Sequence, residues 1–255
     1  MISLPMKFRI IASLLVLLCG CTAALPVKHQ ATLTQVSTYQ ALDMGLYDGE
    51  VTYEKLAGYG DFGIGTFTGI EGEMIALDGV FYQALVDGTV RKADPRMKSP
   101  FAMIHFFRGD RRVHLAERIG DMDALKRYLS RHLPTANRPY AFRITGTFSY
   151  LKIRSVPGQA KPYPPLRDVI ARQATFEFKA IQGTVVGYWL PEFLSGINMP
   201  GFHLHFISRD GKHAGHMLTC SVSDAEVSID ELERVMLIVP QNRAFQHADF
   251  GGRKN

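Results

Sequence analysis

Short runs of apolar or alternating residues recur along most of the chain, a pattern typical of β-strands. In the clearest case, residues 74–77 lead into Asp78-Gly79, a second apolar run follows at 80–86, and another Asp-Gly pair comes after it. Such pairs predict tight turns between antiparallel strands, because they readily adopt the positive φ angles of those turns. Further strands are predicted at residues 101–107, 112–115, 141–156, 175–178, 183–190, 203–208 and 213–222, whereas 226–239 is ambiguous.

Helical patterns occupy only three short segments. Thr52 is placed to cap a helix that Gly58 ends, and Asp121 caps a longer helix that stops before Pro134. Pro165 is suited to be the first residue of the third helix, since the N–H that proline lacks would be unbonded there. Many strands with few helices predict an α+β protein, with mixed or antiparallel β-sheets in two closely packed lobes and a few peripheral helices.

The first residues have the pattern of a signal peptide. An apolar run at residues 10–18 follows two basic residues, is too short to span a bilayer comfortably, and ends in Leu18-Cys19-Gly20-Cys21. This spacing is similar to a bacterial lipobox, so we expect cleavage before Cys21 and lipidation of that cysteine. The alternative is an ordinary signal peptide cut near residues 23–24. Either way we expect export, and in the first case a lipid anchor in a bacterial membrane.

These patterns predict four segments: a lipoprotein signal peptide (1–20), a tether (21–34), one large domain (35–250) and a tail (251–255). Within the domain, we place an approximate boundary between two sheet lobes near residue 136. The alternative for residues 25–37 is an entering edge strand. Because 46% of the residues are hydrophobic, the chain can bury a large core.

Charge and cysteine content narrow the functional classes. Without Lys7 and Arg9 of the signal peptide, 27 Lys and Arg stand against 24 Asp and Glu, a net charge of +3. No basic block appears, so we expect no nucleic-acid partner.

Cys220 is the only cysteine of the domain, and a lone cysteine in an apolar stretch is more often a packing residue than a nucleophile. Association of two copies as a homodimer is left open.

The strongest chemical pattern is a group of histidines around a further predicted hairpin. If Asp210-Gly211 form the turn, residues whose numbers sum to 421 face each other, so His205 faces His216. His203 lies two residues before His205 and therefore on the same face, whereas His213 falls on the other face unless a bulge shifts the register. Three imidazoles can bind one metal ion and leave a coordination position open, as catalytic sites do. Imidazole-only ligation favours Zn²⁺, with Fe²⁺, Ni²⁺ and Cu²⁺ as alternatives.

Four separated stretches carry a resemblance to a known family: residues 60–67 (GDFGIGTF), 72–83 (GEMIALDGVFYQ), 154–157 (RSVP) and 199–206 (MPGFHLHF). In this order they resemble the α-acetolactate decarboxylases, over nearly the whole chain from about residue 35 to residue 249. The resemblance implies Zn²⁺ ligands His203, His205 and His216, catalytic Glu73 and Arg154, and a pocket lined by Thr66. It also implies decarboxylation of 2-acetolactate (2-hydroxy-2-methyl-3-oxobutanoate), a small keto acid, to acetoin and CO₂.

The implied residues suit that chemistry. A β-keto acid loses CO₂ when the electrons left behind move into the adjacent carbonyl. A Lewis acid at the ketone and hydroxyl oxygens stabilises the enediolate as it forms. Arg154 is suited to hold the carboxylate or to stabilise the enediolate, and Glu73 to manage the proton that reaches the new carbanion. We therefore expect no organic cofactor.

One departure from the family pattern and two other functions stay open. Family members often have a further glutamate near the C-terminus, whereas no glutamate follows Glu233 here and Asp249 is the candidate substitute. Glu192 either orients a ligand histidine or is a surface charge.

A cupin-like iron dioxygenase would need a carboxylate soon after the histidine pair, where Asp210 instead falls in the turn. A periplasmic zinc-binding lipoprotein would need an open loop rich in histidine and acidic residues.

Overall fold

The computed structural model describes residues 31–251, so the predicted signal peptide, Cys21 and most of the predicted tether lie outside the described part. The strands are β1 (Thr32–Val36), β2 (Val51–Thr52), β3 (Phe62–Thr66), β4 (Glu73–Leu77), β5 (Val80–Ala84), β6 (Val90–Lys92), β7 (Lys98–Ser99), β8 (Phe101–His105), β9 (Arg111–Leu115), β10 (Tyr140–Ser155), β11 (Ala174–Leu190), β12 (Gly201–Ser208), β13 (Ala214–Glu231) and β14 (Arg234–Ile238). The α-helices are α1 (Tyr39–Asp43), α2 (Tyr53–Ala57), α3 (Met122–Ser130), α4 (Leu166–Ile170) and α5 (Arg243–Gln246). Among the described residues, no helix is long and apolar enough to cross a membrane.

Seven strands form the first sheet, in the order β14-β1-β8-β3-β4-β5-β6. The β1–β14 pair is parallel and the other neighbours are antiparallel, so the sheet is mixed. Its central strands β3 and β8 are buried along their whole length. Gly63 and Gly65 of β3 permit this packing, because a Cβ at either position would come within 2.5 Å of a carbonyl oxygen of β8.

The second sheet has the order β10-β11-β12-β13-β9, and β10 pairs with β13 as well as with β11. Strands β10, β11, β12 and β13 therefore close into a ring. Phe142, Phe148 and Phe206 are fully buried in the core of this sheet, and Leu125 and Leu129 of α3 cover part of it. A second hydrophobic cluster, which includes Ile64, Ile75, Val186 and Tyr188, joins the two sheets.

The predicted fold class is confirmed: two large sheets, one mixed and one antiparallel, and a two-stranded sheet of β2 and β7 carry a few short helices. The predicted caps are also present. The hydroxyl of Thr52 accepts a hydrogen bond from the Lys55 backbone N–H, and the carboxylate of Asp121 accepts one from Ala124. Pro165 occupies the N-cap position of α4, so the helix begins at Leu166, one residue later than predicted.

Three segments differ from the sequence-based prediction. Strand β1 begins at Thr32, inside the predicted tether, and lies between β14 and β8, so it is an interior strand. The two strands predicted at 175–178 and 183–190 are one strand, β11, with a positive φ at Ala180. The ambiguous segment 226–239 forms the end of β13 and then β14, which returns to the first sheet.

The division of the chain between the two sheets also differs from the expected boundary near residue 136. The chain leaves the first sheet after β8 and enters the second at β9, before residue 136, and it comes back for β14. Sequence periodicity predicts individual strands, but the sheet that each strand joins depends on packing between distant segments.

Cys220 lies fully buried on β13, and burial raises the pKa of its thiol to about 12, with the negative charge of Asp121 adding to the shift. Because the thiolate is the reactive form, we expect native protein at pH 8 to resist alkylation at Cys220 while urea-unfolded protein reacts. Mass spectrometry of the Cys220 peptide measures both states. Rapid stoichiometric labelling of the native thiol would instead support a nucleophilic role.

Candidate metal centre

The predicted histidine hairpin forms with the predicted register. His205 of β12 pairs with His216 of β13, Phe206 with Gly215 and Ile207 with Ala214, so the numbers sum to 421. His203 lies on β12 two residues before His205, which places its ring on the same face. The connection between the two strands is wider than a two-residue turn and spans residues 209–212. Arg209 and Lys212 do not pair as strand residues, because hydrogen bonds made by the side chains of Ser208 and Asp210 hold the loop instead.

The three imidazoles converge on one point. One nitrogen of each ring lies within 4.8 Å of the others, and the Nε2 atoms of His203 and His205 are 3.2 Å apart. Tetrahedral Zn²⁺ with Zn–N bonds of about 2.0–2.1 Å places ligand nitrogens about 3.3 Å apart. The separation of the first two rings already matches that geometry. Within residues 31–251, no other group of histidine, cysteine and acidic side chains meets the same criterion.

The histidines are held in the form that binds a cation. The Nδ1–H of His205 donates to the Met74 carbonyl at 2.9 Å, which leaves the lone pair on Nε2 directed at the cluster. Burial lowers the pKa of His203 to about 3, with a further contribution from the positive charge of Arg154. Burial also holds the pKa values of His205 and His216 well below the usual range. All three rings are therefore neutral at pH 7.

His216 provides a separate indication that the rings fit a metal. Its Nδ1 is buried and has no hydrogen-bond partner among the described residues. A buried polar atom without a partner is costly, and a metal ion bound at that nitrogen would remove the cost. The cluster is therefore a group that could hold a metal ion.

Glu73 and Arg154 approach the histidines from different sheets. Glu73 opens β4 of the first sheet, and Arg154 lies near the end of β10, directly opposite His216. A guanidinium nitrogen of Arg154 lies 3.5 Å from Glu73 Oε1, and Glu73 Oε2 lies 3.6 Å from His205 Nε2. The structure therefore brings together all three predicted histidines and both predicted catalytic residues.

The surroundings of Glu73 shift the pKa of its carboxyl group. Its side chain is 9% exposed, and burial raises the pKa of the carboxyl group, while the nearby Arg154 opposes that rise. Desolvation is the larger of the two effects. A buried carboxyl group beside a fixed cation can hold or release a proton closer to neutral pH than an exposed glutamate can.

Thr66 lies beside Glu73, but its hydroxyl hydrogen-bonds to the nearby backbone. The two residues are direct partners in the β3–β4 pair, and the hydroxyl of Thr66 donates to the Gly72 carbonyl at 2.7 Å. Thr66 is 4% exposed. Its role in lining the substrate pocket stays a prediction.

Three other candidates point elsewhere. His213 packs against Phe178 with ring centroids 4.6 Å apart, on the face away from the cluster, as the register predicts. Glu192 is exposed in a short 3₁₀ helix (Glu192–Leu194). The exposed Asp249 accepts a hydrogen bond from the Gly251 backbone N–H. Its role as a substitute for the C-terminal glutamate of other family members stays a prediction.

Two groups near the site have no signature in the sequence. The Met74 carbonyl fixes the His205 ring, and the buried Ser155 hydroxyl donates at 2.7 Å to the carbonyl of Ala84. Ala84 faces Glu73 in the β4–β5 pair, so this bond ties the Arg154 strand to the Glu73 strand. In the sequence, Ser155 is notable only because it lies within the stretch Arg154–Pro157. Its hydrogen bond to Ala84 could not be predicted, because it depends on how the two sheets pack.

Comparison with known proteins places these residues in a family. Residues 33–252 match the sequence profile described as alpha-acetolactate decarboxylase. The chain is 41% identical over 219 residues to the alpha-acetolactate decarboxylase of Methanosarcina mazei, covering 86% of this chain and 76% of that protein. It is 40% identical over 225 residues to the one from Methylococcus capsulatus, covering 88% and 86%.

A solved structure shows the same fold. The crystal structure of alpha-acetolactate decarboxylase from Bacillus subtilis strain 168 superposes with a TM-score of 0.84 at 34% identity, covering 87% of this chain and 94% of that one. The family match, which covers residues 33–252, includes the histidine hairpin, Glu73 and Arg154. The chain belongs to the alpha-acetolactate decarboxylase family, whose members are carboxy-lyases.

Proposed function

We propose that this chain converts 2-acetolactate to acetoin and CO₂ at a Zn²⁺ ion bound by His203, His205 and His216. The observation that carries the proposal is the convergence of three neutral imidazoles with the Glu73–Arg154 pair at the junction of the two sheets. Ligation by three histidines is typical of catalytic zinc, which keeps its fourth position for water or substrate. Family membership supports the substrate.

Zn²⁺, when bound, supplies a Lewis acid that polarises the ketone and takes up electron density as the carboxylate leaves. In the reaction, the bond between the carboxylate carbon and its neighbour breaks, CO₂ departs, and the electron pair moves into the adjacent ketone. Arg154 offers a fixed positive fork, and its side chain is only 13% exposed, so its charge is weakly screened. We assign it to hold the substrate carboxylate in place before that bond breaks.

Glu73 is assigned to the proton that completes the reaction. The carbon that loses CO₂ must gain a proton to become the CH(OH) carbon of acetoin. Glu73 is buried beside Arg154, and burial raises the pKa of its carboxyl group above that of an exposed glutamate, which favours a proton-carrying role. Thr66, opposite Glu73 on β3, would limit the space beside the carboxyl group.

The location of the enzyme is also proposed. The predicted signal peptide and lipobox favour export and a lipid anchor at Cys21, and the short segment from there to Ala31 would join the anchor to β1. Growth with labelled palmitate tests this: label should enter the wild-type protein and be lost in Cys21→Ser. Incorporation that survives the substitution would contradict the assignment.

An activity assay tests the proposed function. Purified protein given 2-acetolactate should form acetoin and CO₂ in equal amounts, lose the activity with a chelator, and recover it with added Zn²⁺. Iron with oxygen uptake would favour the dioxygenase. Tight zinc without turnover would favour a zinc-binding lipoprotein.

The isosteric variant Glu73→Gln tests the proton role. The amide preserves the shape of the side chain but cannot transfer a proton, so we expect kcat to fall by roughly 10²–10⁴-fold with the metal content unchanged. Glu71→Gln is the matched control, because Glu71 lies two residues away and is exposed. Equal kcat values for Glu73→Gln and the wild type would remove Glu73 from the mechanism.

A further inference from the structure

Two hydrogen bonds connect the second sheet to the first beside the proposed catalytic residues. The hydroxyl of Ser155 donates to the Ala84 carbonyl at 2.7 Å, and the backbone N–H of Gly72 donates to the Val156 carbonyl at 3.2 Å. All four residues are buried, so water does not compete for these bonds. We call these four residues the inter-sheet clamp.

The clamp is adjacent in sequence to both proposed catalytic residues. Arg154 directly precedes Ser155 at the end of β10. Glu73 directly follows Gly72 and faces Ala84 in the β4–β5 pair. The side chains of Arg154 and Glu73, which approach to 3.5 Å, therefore extend from backbone that the clamp holds on both sides.

Pairing within each sheet cannot set that approach. Arg154 pairs with Thr175 and His216, which belong to its own sheet. Glu73 pairs with Thr66 and with a residue of β5, which belong to the other sheet. The distance between the two side chains therefore depends on contacts between the sheets. Apolar packing is one such contact, but it has no preferred direction, whereas a hydrogen bond fixes both distance and angle.

Ser155 supplies the only side chain that bonds in the clamp. The Gly72–Val156 bond joins two backbone groups, and Ala84 accepts through its backbone carbonyl. A third hydrogen bond between the sheets, from His205 to the Met74 carbonyl, holds β12 and so does not act on β10. Substitution of Ser155 can therefore loosen the Arg154 strand without removing a metal ligand or a strand pair.

The clamp also explains why residue 72 is a glycine. Gly72 has a φ of +80°, which side chains disfavour, and a Cβ there would overlap the Ala84 carbonyl oxygen. That oxygen is the one that accepts the hydrogen bond of Ser155. Three segments of the chain can meet at this oxygen because residue 72 has no side chain.

We propose that Ser155 is a positioning residue, whose hydrogen bond to the Ala84 carbonyl sets the distance between the Arg154 guanidinium and the Glu73 carboxyl group. Arg154 is assigned to the substrate carboxylate and Glu73 to the proton, so their separation determines whether both reach the same substrate. The inference rests on the proposed function of these two residues, but it does not depend on which metal ion is bound.

A series of substitutions at Ser155 tests the role of the hydroxyl. Ser155→Ala should keep its metal and its circular dichroism spectrum but lose roughly 10–100-fold in kcat, because small misplacements of reacting groups are costly. Ser155→Thr keeps the hydroxyl and should recover most of the activity, and Ser155→Cys, a weaker donor, should fall between the two. Ser149→Ala is the matched control, because the exposed Ser149 of β10 bonds only within its own sheet, to the Ser221 carbonyl. It should have wild-type kcat.

A double-mutant cycle separates positioning from a general loss of structure. If Ser155 acts through Arg154, Ser155→Ala should lower kcat/KM in the wild-type background but have little further effect in Arg154→Ala. Equal losses in the two backgrounds would overturn the proposal. So would a folded Ser155→Ala or Ser155→Cys with wild-type kcat, or a folded Ser155→Thr no more active than Ser155→Ala. Wild-type activity in Arg154→Ala itself would instead refute the proposed function, which distinguishes the two failures.

Discussion

We expect His205→Ala to lose both its metal and its activity. In the proposed site His205 is the central ligand: it is 1% exposed, its Nε2 lies 3.2 Å from that of His203, and its other nitrogen is fixed by the Met74 carbonyl. Without this ring, two imidazoles remain, and two neutral ligands hold Zn²⁺ poorly. Loss of a Lewis acid that contributes several kcal/mol should lower kcat/KM by on the order of 10³-fold or more.

Metal analysis and the acetoin assay, carried out on the same preparation, measure this result. His213→Ala is the matched control, because His213 lies on the same hairpin and packs against Phe178 away from the cluster. It should keep a full complement of metal and wild-type activity. Full activity in a metal-free His205→Ala protein would refute the site.

Arg154→Ala should keep its metal but lose most of its turnover. The guanidinium lies 3.5 Å from Glu73 and opposite His216, yet it provides no lone pair to a metal. Its positive charge lowers the pKa of His203 and repels a nearby cation, so its removal does not weaken metal binding. The loss of a fixed charge at the reacting group should cost roughly 10²–10³-fold in kcat/KM.

Two further variants separate charge from geometry. Arg154→Lys keeps the charge but loses the planar fork, so we expect an activity between those of the wild type and Arg154→Ala. Lys152→Ala is the control on the same strand, where Lys152 pairs with the partly exposed Glu177. It should have wild-type activity. An unchanged rate in Arg154→Ala would exclude Arg154 from the mechanism.

The histidine cluster could be predicted from the sequence because a hairpin is a local structure. Asp210-Gly211 predicts the turn, side-chain alternation places His203 and His205 on one face, and the turn fixes the residue opposite each of them. His216 then follows by register, and His213 is excluded by the same rule. The wider reversal at 209–212 did not alter the pairing, because the loop still joins Ser208 to His213.

The rest of the site depends on contacts between sheets, which periodicity does not encode. Glu73 and Arg154 could be proposed only through the family resemblance, since Glu73 is one more carboxylate beside Glu71 and Arg154 alternates with Lys152 along its strand. The role of the Met74 carbonyl has no sequence signal at all. Nor did alternation show that β14 returns to pair with β1, because the pattern of a strand does not specify its neighbour.

Anomalous X-ray scattering at the zinc absorption edge, recorded from crystals of the active protein, tests the central claim most directly. We expect one strong peak about 2.0–2.1 Å from a nitrogen of each of His203, His205 and His216. Fully active protein whose three rings diverge, or whose metal peak lies elsewhere, would contradict it.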